Sequence, residues 1–126
     1  MGSGVEWLID AAGCDPDRLR DEGVLRAVAA SVIQSLTLHV LGDPLWHQFP
    51  APGGWTGIYL LGESHLTCHT FPESGWATWN LYCCRPRVDF DWERELVRRL
   101  GARRVEVRRV PRGAAATSVA AEDGEP

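Results

Sequence analysis

Residues 59–73 read Tyr59-Leu-Leu-Gly-Glu-Ser-His-Leu-Thr-Cys-His-Thr-Phe-Pro-Glu73. Two runs of β-favouring residues flank a short polar segment, Gly62-Glu63-Ser64, which predicts strand, turn, strand. Trp55–Leu61 is the first of these strands and His65–Phe71 the second. Trp76–Tyr82 is a third, entered through the turn Pro72-Glu-Ser-Gly75. Three strands joined by short turns make an antiparallel meander, so this central stretch decides the fold. Its turn also carries chemistry. A serine hydroxyl at that point can attack the carbonyl of Glu63, cut the chain, and leave Ser64 as a chemically altered N-terminus.

Outward from the meander, Val5–Ala12 predicts a first strand closed by Gly13. Asp15 as N-cap and Pro16 in the first turn open a helix, with Leu19, Val24, Leu25, Val28, Ala29, Val32 and Ile33 on one face. Thr37–Gln48 is rich in β-formers, interrupted by Gly42-Asp43-Pro44, and residues 50–54 form a Pro/Gly loop. A second helix is predicted over Asp91–Leu100, with Trp92, Leu96 and Leu100 on one side and Gly101 ending it. Arg103–Val110 alternates valines with arginines and predicts a last, half-exposed strand. From Pro111 the composition turns to Gly, Ala, Ser and acids, which predicts a disordered tail over 111–126. The expected class is α+β: a two-layer arrangement with an antiparallel β-sheet and two main helices packed on one face, forming a single domain over 1–110.

The composition narrows the function classes. The 126 residues are 44% hydrophobic and 24% charged, enough for one core. A net charge of −4 without a basic block argues against nucleic acid as partner. No run approaches the ~20 apolar residues of a membrane span. Met-Gly-Ser-Gly-Val-Glu at the start has neither a basic nor an apolar signal region, so the expected location is cytoplasmic. Cys14, Cys68, Cys83 and Cys84 lack CxxC spacing and read as reduced thiols, with Cys14 and Cys68 in the core and Cys83 facing away from Cys84. Four of the six tryptophans, at 46, 55, 76 and 79, surround the Ser-His turn, as aromatics do at ligand or partner sites. Trp7, Trp79 and Trp92 read as core or dimer contacts. His65, Cys68 and His69 have zinc-ligand chemistry, but on one strand 65 and 69 share a face that 68 does not, so no metal is expected.

The stretch Thr56–Glu73, followed by Gly75-Trp-Ala and Cys84, resembles the proenzyme of the bacterial and archaeal S-adenosylmethionine decarboxylase family. Gly13–Leu19, Trp46-His-Gln-Phe49 and Gly101–Val107 resemble other family segments. The resemblance implies self-cleavage between Glu63 and Ser64, which leaves a pyruvoyl group generated from Ser64 as the cofactor. The ketone would form a Schiff base with the substrate amine, and its amide carbonyl would take up the electrons left by carbon dioxide. His69 matches the family histidine that assists processing and stands where a base could reach back along its strand to Ser64. Thr56 keeps the hydroxyl of a usual serine. Cys84 matches the family's proton donor. Phe49 and Phe71 match aromatics near the adenine, although position 71 is usually Trp, and Glu73 suits the ribose hydroxyls. Family members are homodimers of cleaved protomers, with sheets facing each other and sites at the interface.

The chain departs from the family pattern at a handful of places. Glu6 stands where histidine is usual, Gly62 for Ser, Asn80 for Asp, and Cys83-Cys84-Arg85 for Thr-Cys-Gly. These departures leave two alternatives beside S-adenosylmethionine decarboxylation for spermidine biosynthesis. One is a pyruvoyl-dependent decarboxylase of a basic amino acid, arginine or ornithine. The other is an unprocessed pseudoenzyme partner of an active paralogue.

Overall fold

The computed structural model describes residues 3–84, 89–114 and 116. Its elements run β1 (Ser3–Ala12), α1 (Pro16–Leu19), α2 (Glu22–Ser35), β2 (Leu45–Gln48), β3 (Trp55–Leu61), β4 (Ser64–Phe71), β5 (Trp76–Cys83), α3 (Trp92–Leu100) and β6 (Arg104–Gly113). The strands form one six-stranded sheet in the order β2-β3-β4-β5-β1-β6. Every neighbouring pair is antiparallel, so the fold is α+β, as the sequence predicts.

The strand period of two gives the sheet two unlike faces. Trp7, Ile9 and Ala11 on β1, Tyr59 and Leu61 on β3, Leu66 and Cys68 on β4, and Ala77, Trp79, Leu81 and Cys83 on β5 are buried. They form one core with Leu19, Leu25, Val28, Ala29 and Val32 of α1 and α2 and with Trp92, Leu96 and Leu100 of α3. Trp7, Trp79 and Trp92 therefore belong to the core, as do Cys14 and Cys68. The alternate residues, including Glu6, Thr56, His65, His69 and Asn80, lie on the opposite, open face.

The first predicted helix is broken in two. Asp15 caps α1 by accepting from the Asp17 N–H at 2.9 Å, and Asp21 caps α2 by accepting from the Val24 N–H at 3.2 Å. A second N-cap residue five positions after the first helix begins satisfies a fresh set of free N–H groups, so the axis can turn there. The β-rich reading of Thr37–Gln48 holds only for Leu45–Gln48. Upstream, Thr37 takes φ 53° and the Leu38 N–H returns to the Ile33 carbonyl at 2.9 Å, so these residues end α2 instead. Val40 makes only an isolated bridge to Leu61.

The third helix follows its prediction closely. Asp91 accepts from the Arg94 N–H at 3.1 Å, and Gly101 adopts φ 68° at the other end. The last strand does not stop at Val110. It runs through Gly113, because Val5, Gly4 and Ser3 pair with Pro111, Arg112 and Gly113. The tail expected from Pro111 thus gives up its first three residues to the sheet, and residues 115 and 117–126 lie outside the described residues.

Candidate active site

The β3–β4 hairpin places the two ends of the long motif at opposite ends of one ladder. At the turn, Leu61 pairs with Ser64, leaving Gly62 and Glu63 as the loop. The Gly62 N–H donates to the His39 carbonyl at 2.8 Å. Glu63 takes φ 60°, a left-handed conformation costing a residue with a Cβ about 1–2 kcal/mol. Its carbonyl oxygen accepts the Cys84 backbone N–H at 3.2 Å. Ser64 is buried and lies opposite Cys83 on β5. The bond expected to break thus joins a strained residue, whose carbonyl is polarised by a fixed N–H, to a serine shielded from bulk water. Cys83 belongs to the core, whereas Cys84 is only half-buried.

At the other end, Thr56 and His69 are a register pair, and Thr56 Oγ1 lies 2.9 Å from His69 Nδ1. Beside them is a cavity of about 360 Å³ lined by Phe49, Trp55, Phe71 and Glu73 together with Thr56 and His69. Every residue expected to touch substrate or assist processing from this half of the motif therefore meets in one place. The cavity wall is tied to the helices. Thr70 Oγ1 accepts the Trp55 backbone N–H at 2.9 Å and donates to the Leu19 carbonyl at 2.8 Å. The Trp55 Nε1–H donates to the Arg20 carbonyl at 2.8 Å. The Phe49 N–H closes the Pro/Gly loop on the Gly54 carbonyl at 2.8 Å. Trp55, one of the four tryptophans expected around a ligand or partner site, lines this cavity, and so do prolines 50 and 52, which the sequence reading placed only in a loop.

One expectation fails within a single protomer. His69 cannot reach back to Ser64, because β4 is extended between them. Five residues at ~3.3 Å each separate them by about 16 Å, and an odd offset puts the side chains on opposite faces. The same alternation sends Cys68 into the core, away from His65 and His69. Burial raises the Cys68 thiol pKa well above its ordinary value and that of Cys14 to about 11, so both are held as neutral thiols. Arg85, next to Cys84, lies outside the described residues.

Comparison with known proteins gives a consistent answer. A family model described as S-adenosylmethionine decarboxylase matches residues 5–113. The S-adenosylmethionine decarboxylase proenzyme of Shouchella clausii is 35% identical over 102 residues, 80% of this chain and 78% of that one. Proenzyme 2 of Halalkalibacterium halodurans is 35% identical over 111 residues, 87% of this chain and 86% of its own length. Among solved structures, the adenosylmethionine decarboxylase of Aquifex aeolicus VF5 superposes with a TM-score of 0.70 at 27% identity, covering 87% of this chain and 90% of that one. With a family model spanning nearly the whole sheet, relatives at 35% identity over most of their length, and a shared fold, the chain belongs to the S-adenosylmethionine decarboxylase family.

Proposed function

We propose that this protein is a self-processing carboxy-lyase that cuts itself between Glu63 and Ser64 and decarboxylates S-adenosylmethionine to an aminopropyl donor for spermidine biosynthesis. The observation that carries the reading is the Glu63 carbonyl, left-handed at its own residue and hydrogen-bonded to the Cys84 N–H beside a buried serine. Family members are pyruvoyl-dependent, with the group formed from a serine, and the residues here fit that origin.

In the processing step, Ser64 Oγ attacks the Glu63 carbonyl carbon. A C–O ester bond forms, the peptide C–N bond breaks, and the Ser64 nitrogen takes the proton. The Cys84 N–H already points at the oxygen on which negative charge develops, the arrangement that stabilises such an oxyanion. A base then removes the Ser64 Cα proton, the Cβ–O bond breaks, and the Glu63 carboxylate leaves. Water hydrolyses the resulting enamine and releases ammonia. The product group supplies a carbonyl for the substrate amine and a sink for the electron pair left by carbon dioxide. Cys84 returns a proton to the substrate α-carbon. Phe49 and Phe71 offer π faces for adenine and for the sulfonium, a cation–π attraction worth about 0.5–2 kcal/mol. Glu73 takes the ribose hydroxyls.

The active form is a homodimer. Ser64 and Cys84 stand at one end of the hairpin, while Thr56, His69 and the aromatic cavity stand at the other. A two-fold partner laid across the open face supplies the missing half to each. In support, that face exposes Leu45, Ile58 and Leu60 at 70%, 46% and 59%, from the middle of β3 towards its Ser64 end. Four free thiols and the acidic net charge suit a reducing, cytoplasmic setting without nucleic acid. Among the described residues, no helix is long and apolar enough to cross a membrane.

Intact mass measurement of the purified protein tests the reading. Two fragments divided at 63/64, the second blocked by pyruvoyl, with carbon dioxide released from S-adenosylmethionine, are expected. A single intact chain supports the pseudoenzyme instead, and release from arginine or ornithine alone overturns the substrate.

A further inference from the structure

A chain of polar contacts on the open face runs across four strands and uses none of the residues assigned above. Arg112 on β6 donates through Nη1 to Glu6 Oε1 on β1. Asn80 on β5 donates from Nδ2 to Glu6 Oε2 at 2.6 Å. His65 Nε2 on β4 meets Asn80 Oδ1 at 3.2 Å. A carboxylate only accepts, so Glu6 fixes which way the Asn80 amide points. Oδ1 then faces His65 and must accept, which places a proton on His65 Nε2. The His65 ring also stacks on Tyr82, with centroids 5.6 Å apart and an interplanar angle of 12°. The Asn80 hydrogen bond, aided by Arg112 and the His65 charge, holds the Glu6 carboxyl below its ordinary range against the opposing effect of burial, so the chain keeps one polarity.

Two departures from the family pattern, at positions 6 and 80, are thus in direct contact. Histidine and aspartate there would put the donor on β1 and the acceptor on β5. Glu6 and Asn80 reverse the pair.

We propose that His65, held by Asn80 and Glu6 and stacked on Tyr82, is a positioning residue that keeps the new N-terminus of β4 docked after the Glu63–Ser64 bond is cut. The proposal rests on the scission reading. Before cleavage, the Gly62-Glu63 loop ties residue 64 to β3. After it, β4 begins at residue 64, and a free strand end frays unless a side chain holds it. His65 is the first intact side chain behind the reactive group, and its anchor is independent of the loop that is lost.

The test compares His65→Ala and Asn80→Leu with the unaltered protein, each measured for cleavage by mass, for turnover, and for amide exchange at 65–67. The same exchange is measured in an uncleavable Ser64→Ala background. Both variants should split at 63/64 to the parental extent, yet turn over more slowly: about tenfold for His65→Ala, which loses one hydrogen bond and one stacked ring, and less for Asn80→Leu, which keeps the ring contact. Exchange at 65–67 should quicken only in the cleaved forms. Glu6→His/Asn80→Asp, which reverses donor and acceptor, should recover most of the turnover that Asn80→Leu loses. Parental turnover and exchange in cleaved His65→Ala, or equal quickening in the Ser64→Ala background, overturns the proposal. An uncleaved parent overturns the scission reading first, and this inference with it.

Discussion

Pairing a Ser64→Ala chain with a His69→Ala chain tests the shared site directly. Within one chain the two residues are about 16 Å apart along β4 and on opposite faces, whereas a base must come within ~3 Å of the proton it takes. No rotamer change closes a gap of that size across a paired strand. His69→Ala alone should therefore slow cleavage by at least about a hundredfold, the lower end of what a positioned base contributes. Ser64→Ala alone should not cleave at all. Co-expressed in equal amounts and assorting at random, about half of the dimers are mixed. In each mixed dimer one complete site exists, formed by Ser64 of the His69→Ala chain and the histidine of its companion. About half of the His69→Ala chains should then be cut in the whole mixture, and essentially all of them once mixed dimers have been isolated, read by mass on differently tagged chains. No cleavage above the single-variant level in verified mixed dimers would refute the shared site. Parental cleavage by His69→Ala alone would remove the histidine from processing.

Four further outcomes follow from the geometry. Glu63→Gly in the Ser64→Ala background should raise unfolding stability by roughly 0.5–1 kcal/mol, because glycine relieves the left-handed strain at φ 60° and gives part of the gain back in chain entropy; calorimetry checks it, and a loss would show the turn to be unstrained. Gly54→Ala would place a Cβ 2.3 Å from the Thr70 carbonyl oxygen, so the start of β3 must shift, costing about 1–3 kcal/mol and raising KM through the displaced cavity wall. Iodoacetamide at pH 8 should label Cys84 before Cys14 or Cys68, read by peptide mass. Because burial raises Cys14 from 9.0 to about 11, the unfolded chain loses that proton first, and stability should fall as pH rises from 9 towards 11.

Most of the elements were legible because their causes are local. Alternating residues gave β3, β4 and β5 nearly to the residue, and Asp91 with Gly101 bracketed α3. Two of the misses have local causes too, but of kinds that compete. Asp21 offered a second cap inside a continuous apolar stripe, and a capping aspartate can outweigh periodicity. Thr37 and Leu38 have β-propensity, yet their N–H groups bond back to the Gln34 and Ile33 carbonyls and end α2 instead. Past Val110, the partner residues Ser3–Val5 decided that the last strand continued, a pairing invisible from the Pro-Arg-Gly sequence.

The sequence by itself determined the family and pointed to the Glu63–Ser64 bond and the residue types of the proposed site, since the motif is contiguous. The tertiary structure alone decided how those residues are divided. Strand geometry separates Ser64 from His69, register gathers Phe49, Phe71 and Glu73 around the Thr56–His69 pair, and side-by-side strands join Glu6, Asn80 and His65. Distance along a strand is fixed by extension at ~3.3 Å per residue, while neighbours across strands are set by register. A motif read as one cluster is therefore, in the folded protomer, two half-sites facing different ways.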